Sequence, residues 1–173
     1  MVAHATKFRR ARQKGQELIE FTLMVFVVLG FIYMIIDVAW MVFTRATLQY
    51  AVREASRYAV ANGSDNVANP QNVNTETANI QSVVQTNSMG FVSATTPLCT
   101  NPVTTTPCVN INWYQPTALN TPLTSASGSA YNASPNVVEV DVVSFPQKPL
   151  LGIFIENSIH TFTFNAASAD VME

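Results

Sequence analysis

The chain has 173 residues, of which 48% are hydrophobic and 12% are charged, about half the usual charged share of a globular domain. This composition excludes extended disorder and fits one domain with an additional apolar segment. Residues 1–14 hold five of the nine cations and no acid, and residues 77–138 hold no charge. Beyond residue 14, four cations face eleven acids, so this part would repel phosphate, which disfavours nucleic-acid binding.

A basic leader precedes an apolar stretch that is long enough to cross a bilayer. From Phe21 to Ile36 the sequence carries no charge, and after Asp37 the apolar pattern resumes as far as Thr44. A helix rises about 1.5 Å per residue, so residues 21–44 would cover roughly 36 Å against a hydrocarbon core of about 30 Å. We therefore predict a membrane-spanning segment at about 21–44, with Asp37 near the far interface, where its carboxylate reaches headgroups or water.

The distribution of cations sets the expected orientation. Five cations precede the apolar stretch, and three follow it on the same helix, Arg45, Arg53 and Arg57, which favours a cytoplasmic N-terminus and an exported C-terminal part. An ordinary cleavable secretory signal is disfavoured, because the first A-x-A triplet after the apolar stretch, at 59–61, lies far beyond its end. An interfacial aromatic belt is expected from three residues: Tyr33, Trp40 and Phe43.

The helical pattern continues beyond the predicted membrane segment, so we expect one long helix over residues 16–61. It ends at Asn62-Gly63, since both residues tolerate the left-handed conformation. One face carries an apolar stripe that a folded domain could cover: Leu48, Ala51, Val52, Ala55 and Ala59. The opposite face is expected to be polar: Arg45, Gln49, Arg53, Ser56 and Arg57.

Glu20, directly before the apolar stretch, is an unexpected residue at this position. A carboxylate that enters hydrocarbon costs on the order of 2–3 kcal/mol, so a plain anchor would do better with an uncharged residue. One explanation places Glu17 and Glu20 in the first helical turn, where the helix dipole favours anions, with Gly15 as a loop residue. The other explanation depends on the complete run GQELIEF, from Gly15 to Phe21.

That run resembles the class III signal of type IV pilins. Its elements are a basic leader ending in Gly15, then Gln16, with Glu20 and Phe21 as the fifth and sixth residues after the glycine. The continuation IIDVAWMVFTRATLQYAVREASRYAVANG is similar to the TadE-like family of minor pilins of the tight-adherence, type IVb pilus apparatus. The C-terminal residues 136–173 resemble that family loosely.

The resemblance implies a processing step and an assembly contact. A prepilin peptidase would remove residues 1–15 by cutting between Gly15 and Gln16. The Glu20 carboxylate of one subunit would then pair with the new α-ammonium group of Gln16 in its neighbour, because a carboxylate in apolar surroundings is tolerable only if it is paired. Glu20 and Phe21 are thus the expected assembly and register residues.

Residues 62–173 are expected to form an exported head, with a polar, turn-rich region at 64–135. Residues 75–87 have the spacing of a short helix, with Ala78, Ile80, Val83 and Val84 as its apolar face and Gly90 closing it. Alternating residues predict strands at 109–114, at Val138, Val140 and Val142, and near Phe162 and Phe164. Antiparallel strands over the helix stripe make the predicted fold class α+β and pilin-like.

Cys99 and Cys108 are the two cysteines of the chain. In an exported domain they are expected to form a disulfide, which would stabilise the head by roughly 2.5–3 kcal/mol through loop-closure entropy. A cytosolic pair of free thiols remains the alternative if the orientation is wrong. Metal binding is disfavoured, because the two histidines are His160 and the leader residue His4.

The sequence indicates neither an enzyme nor a cofactor, since it contains no GxSxG, HExxH or paired-carboxylate pattern, and His160 lies in a strand-like run. We expect a single-pass inner-membrane minor pilin or pseudopilin with a periplasmic or extracellular head, placed in the filament or at its tip after processing. Its expected partners are the prepilin peptidase, other pilin subunits and the inner-membrane assembly platform. The alternative is an unprocessed, membrane-anchored adhesin or binding module.

Overall fold

The computed structural model describes residues 3–63, 70–99, 107–123, 134–149 and 161–172, with side chains from residue 16 onward except at 63 and 70–75. It contains two helices and four strands in these residues: α1 Ala3–Gly63, α2 Pro70–Asn87, β1 Cys108–Gln115, β2 Ala118–Pro122, β3 Val137–Gln147 and β4 Phe162–Val171. Helix α1 thus begins inside the predicted leader, whose side chains lie outside the described residues. The arrangement of one long helix and a small antiparallel sheet confirms the α+β, pilin-like fold class.

The upper half of α1, which is its C-terminal half, forms one wall of the core. All five residues of its apolar stripe, Leu48, Ala51, Val52, Ala55 and Ala59, are fully buried, as their helical spacing predicts. On the opposite face Arg45, Arg53 and Arg57 are exposed, and Arg57 contacts Glu54 at 3.3 Å.

The polar face was predicted wrongly at Ser56, which is only 2% exposed. Its hydroxyl lies 3.0 Å from the hydroxyl of Ser168 in β4, and it also donates to the Arg53 carbonyl at 3.0 Å. A serine is small enough to stand between a helix and a strand, and these two hydrogen bonds satisfy its buried oxygen.

Helix α2 packs against α1 and begins earlier than the predicted 75, at Pro70, a residue favoured in the first helical turn. Ile80 and Val84 are buried as predicted, whereas Ala78 is exposed. Position 78 lies two residues, or about 200°, from Ile80 on the helix, so it faces away from the core. The chain leaves α2 through Gly90, whose φ of 87° lies in the left-handed region that glycine tolerates.

The sheet has the order β2-β1-β3-β4, and every neighbouring pair is antiparallel. On its inner face Val109, Ile111 and Trp113 of β1 lie opposite Val142, Val140 and Val138 of β3. The predicted alternation of β1 and β3 is therefore correct. Strand β2 was not predicted; it is a short edge strand, exposed over most of its length and ended by Pro122, so no buried alternation marks it.

Strand β4 meets the helix through a small residue. Ala166 is buried, while Phe164 is half-buried and Phe162 is exposed, so the two phenylalanines contribute less to the core than predicted. A bulge separates Val142 and Phe145 in β3, where Ser144 has a φ of 53° and its amide donates to the Asn165 side-chain oxygen at 2.8 Å.

The predicted disulfide between Cys99 and Cys108 is present. It holds the segment after α2 beside β1, with the Cys99 amide donating to the Val109 carbonyl at 2.8 Å and the Val109 amide donating to the Pro97 carbonyl at 3.0 Å. The disulfide therefore closes a short loop onto the first central strand of the sheet.

Candidate functional site

The lower, N-terminal half of α1 is not covered by the other residues that the structure describes. Every residue from Gln16 to Ile36 is exposed, including large apolar side chains such as Phe21, Phe26 and Phe31. Among the described residues, α1 is the one helix long and apolar enough to cross a membrane. An apolar surface of this extent requires lipid or other helices around it.

The predicted processing junction lies within this exposed helix. The Gly15–Gln16 peptide is part of the continuous helical backbone of α1. Because its polar groups take part in the helical hydrogen-bond pattern, the predicted cleavage would require local unwinding. A glycine inside a helix lowers the cost of unwinding by roughly 1 kcal/mol relative to alanine.

Gln16 and Glu20 are both exposed and lie four residues apart, on the same side of the helix. Phe21 is exposed as well, on the neighbouring side. The structure therefore presents the two predicted assembly groups on one accessible surface. Their roles in processing and register remain predictions.

Cover begins at Asp37, which is only 6% exposed. Thr44 and Thr47 are also buried, and their hydroxyls donate to the carbonyls of Trp40 and Phe43 at 3.0 and 2.9 Å. We expected the Asp37 carboxylate to reach headgroups or water, but it does not, because the protein encloses it. The last residues of the predicted 21–44 segment are covered on one side by the head.

An aromatic cluster joins α1 to the head just above Asp37. The ring of Phe91, which follows α2, lies 5.9 Å from Trp40, 6.1 Å from Phe43 and 6.1 Å from Phe145 of β3, each in an edge-to-face arrangement. Trp40 and Phe43 were expected to form an interfacial belt. Phe91 and Phe145 were not identified, because neither belongs to an apolar periodicity, although Phe91 directly follows the glycine that ends the predicted helix.

The outer face of the sheet carries the perturbed carboxylate of the head. Burial raises the pKa of Asp141, a hydrogen bond from Asn110 at 3.3 Å lowers it, and the charge of Glu139 raises it. Burial also raises the pKa of Tyr114, which is hydrogen-bonded to Glu139. The described residues contain no group of three or more His, Cys, Asp or Glu that could hold a metal ion, and His160 lies outside them.

The fold and the exposed helix define a membrane-anchored, pilin-like protein whose head packs on the upper half of one long helix. Residues 15–57 match the family model described as TadE-like protein, a structural and non-enzymatic pilus family. This match confirms the resemblance seen in the sequence and indicates involvement in the tight-adherence (Tad) pilus apparatus. It begins at Gly15 and ends on the helix, so it does not include the head. No curated protein and no solved structure matches the chain.

Proposed function

We propose that the protein is a minor pilin or pseudopilin of a type IVb, Tad-type pilus, inserted as a precursor and processed by a prepilin peptidase. It would enter the pilus or initiate its assembly, in adhesion or secretion. One observation supports this proposal above all others. The TadE-like match starts at Gly15, the residue before the predicted cut, and continues along a helix whose surface is exposed from Gln16 to Ile36.

Cleavage would change how the helix is held in the membrane. The leader carries five cations that favour a cytoplasmic N-terminus and bind the anionic membrane surface at about 1 kcal/mol each. Their removal leaves one new α-ammonium group at Gln16. The processed helix is therefore easier to withdraw from the bilayer into an assembly of similar helices.

Glu20 would then select the position of the neighbouring subunit. Inside a bundle of apolar helices an unpaired carboxylate is costly, whereas a carboxylate paired with an ammonium group is tolerated. Gln16 and Glu20 lie about 6 Å apart along the axis of α1. A neighbour displaced along the axis can bring its Gln16 ammonium to this Glu20, which fixes the axial register.

The decisive experiment is mass spectrometry of the mature N-terminus in cells with and without their prepilin peptidase. We expect a start at Gln16 in the first case and retention of residues 1–15 in the second. Retention in both would favour the unprocessed adhesin or binding module instead.

The role of Glu20 is tested separately with Glu20→Ala, and Glu17→Ala serves as the matched control because Glu17 is another exposed carboxylate of the same helical region. Glu20→Ala should be processed but should not co-purify with pilus subunits. Normal assembly of this variant would exclude the pairing, and an equal defect in Glu17→Ala would indicate a general charge effect.

A further inference from the structure

We infer that the lower edge of the head is a lipid-contacting surface that rests in the headgroup layer of an anionic bilayer. We call this surface the base; it consists of Trp40, Phe43, Met89, Phe91, Phe145 and Phe162. The inference goes beyond the proposed function, because it requires α1 to be in a bilayer but needs neither leader cleavage nor entry into a pilus.

The base lies at one level of the molecule because several elements end there. Helix α2 follows α1 in the sequence after a short connection, and Phe91, just after the end of α2, lies beside Trp40. Helix α2 therefore runs antiparallel to α1. Strand β3 descends to Phe145, which contacts Phe91. Strand β4 starts at Phe162, the partner of Gln147 at the end of β3. The uncovered part of α1 leaves the head at this same level.

A well-held turn presents Met89 at the end of α2. The Ser88 hydroxyl donates to the Gln85 carbonyl at 2.8 Å and accepts from the Val92 amide at 3.1 Å, and the Phe91 amide donates to the Ser88 carbonyl at 3.0 Å. Met89 itself has a φ of 52° and is 74% exposed. A left-handed backbone is sterically unfavourable for methionine, and this side chain gains little burial against the described residues, so it is available for a contact outside them.

The length of α1 places the base at the membrane interface. Glu20 and Trp40 are separated by about 30 Å along the helix, which equals the usual hydrocarbon thickness. When Glu20 lies at one interface, Trp40 lies at the other, where tryptophan is preferred. Asp37, one turn below Trp40, is enclosed by protein and so does not face the lipid. The lipid-crossing segment is therefore shorter than the predicted 21–44 and ends near Trp40.

The charges at this level match an anionic lipid surface. Lys148 is exposed directly after β3, and Arg45 is exposed about one turn above Trp40. These are two of the four cations beyond the leader, in a part of the chain that otherwise carries excess acid. Long basic side chains next to buried apolar groups reach headgroup phosphates readily. We therefore commit to phospholipid as the occupant of the base.

The experiment uses the full chain in vesicles of phosphatidylglycerol and phosphatidylcholine. Both native cysteines are in the disulfide, so a single introduced cysteine can carry the environment-sensitive fluorophore NBD alone. Met89→Cys reports on the base. Leu119→Cys, at another exposed apolar residue, is the matched control on β2 at the far end of the sheet, and Val28→Cys reports on the uncovered helix.

We expect the NBD emission at Met89 to shift to the blue and to be quenched by lipids that are spin-labelled near the headgroup. The Val28 probe should be quenched by lipids labelled deep in the acyl chain, and the Leu119 probe should remain in water. A Met89 probe that behaves like the Leu119 probe would overturn the inference. So would a blue shift without lipid quenching, which would indicate a neighbouring protein, and so would a Val28 probe in water.

Charge recognition is tested with Lys148→Glu in the Met89→Cys background. A basic residue near an anionic surface contributes about 1 kcal/mol, so the variant should lose about fivefold or more of the preference of the base for phosphatidylglycerol over phosphatidylcholine. An unchanged preference would show that Lys148 does not recognise phosphatidylglycerol and would overturn this part of the inference. The N-terminal sequence of the protein, which tests the proposed function, is not affected by any of these outcomes.

Discussion

The hydroxyl oxygens of Ser56 on α1 and Ser168 on β4 lie 3.0 Å apart and join residues separated by 112 positions in the sequence. Around this contact the facing residues are small: Ala55 and Ala59 on the helix, and Ala166 on the strand, are all buried. Small side chains on both elements let the strand approach the helix closely. The hydroxyl pair gives that close contact a polar link that apolar packing alone would not supply.

Removing this link should weaken the head by a modest amount. Ser56→Ala is expected to lower the free energy of unfolding by about 1 kcal/mol, because it deletes a hydrogen bond in a buried contact. The double variant with Ser168→Ala should cost less than the sum of the two single variants. Urea unfolding in detergent, followed through the fluorescence of Trp40 and Trp113, measures the stability of the four proteins of the cycle. Additive effects would show that the two hydroxyls are not energetically coupled.

The close approach of helix and sheet also predicts where a larger side chain is rejected. Ala55→Leu adds three carbons at a fully buried position and should destabilise the head by about 1–3 kcal/mol or prevent its folding. Ala61→Leu is the same substitution six residues further along the same helix at an exposed position, and it should change stability by less than about 0.5 kcal/mol. Thermal unfolding of both variants in detergent tests the difference, and equal losses would contradict the packing described.

Loss of the disulfide should lower stability more than either Ser56→Ala or Ser168→Ala. The Cys99–Cys108 bond closes a loop with a sequence separation of 9, so the double Cys→Ser variant should be about 2.5–3 kcal/mol less stable. The wild-type protein in excess reductant should show the same loss of stability. This comparison separates the effect of losing the disulfide from any effect of the two introduced serine side chains. Equal stability with and without reductant would mean that the hydrogen bonds of Cys99 and Val109 hold this segment by themselves.

Buried residues could be predicted from the sequence where they follow a simple period. The stripe from Leu48 to Ala59 repeats every three or four residues on one side of a helix, and Val138, Val140 and Val142 alternate along a strand, so both could be predicted. Ser56 could not, because its burial depends on a strand more than a hundred residues away. The burial of Asp37 and the contacts of Phe91 have the same origin in tertiary packing, which no local pattern contains.

Asp141 gives the head a predictable dependence on pH. It lies on the outer face of the sheet, where its Oδ1 atom is buried and, among the described residues, has no hydrogen-bond partner. Burial raises its pKa in the folded state above the usual value near 4, so the folded protein binds this proton more tightly than the unfolded chain. Its contribution to stability is therefore most favourable at low pH and is lost as the pH rises through the folded-state pKa.

Two substitutions should move this dependence in opposite directions. Asp141→Asn removes the buried charge and keeps an oxygen for the amide of Asn110, so stability should fall less than in the wild type between about pH 4 and pH 7. Asn110→Ala removes the hydrogen bond that lowers the pKa of Asp141, so the decline should continue to a higher pH. Urea midpoints measured across this range, each relative to the wild type at the same pH, cancel the contributions of the other carboxylates. Parallel curves for all three proteins would show that Asp141 keeps the same pKa in the folded and unfolded states, and a steeper decline in Asp141→Asn would reverse the sign derived from its burial.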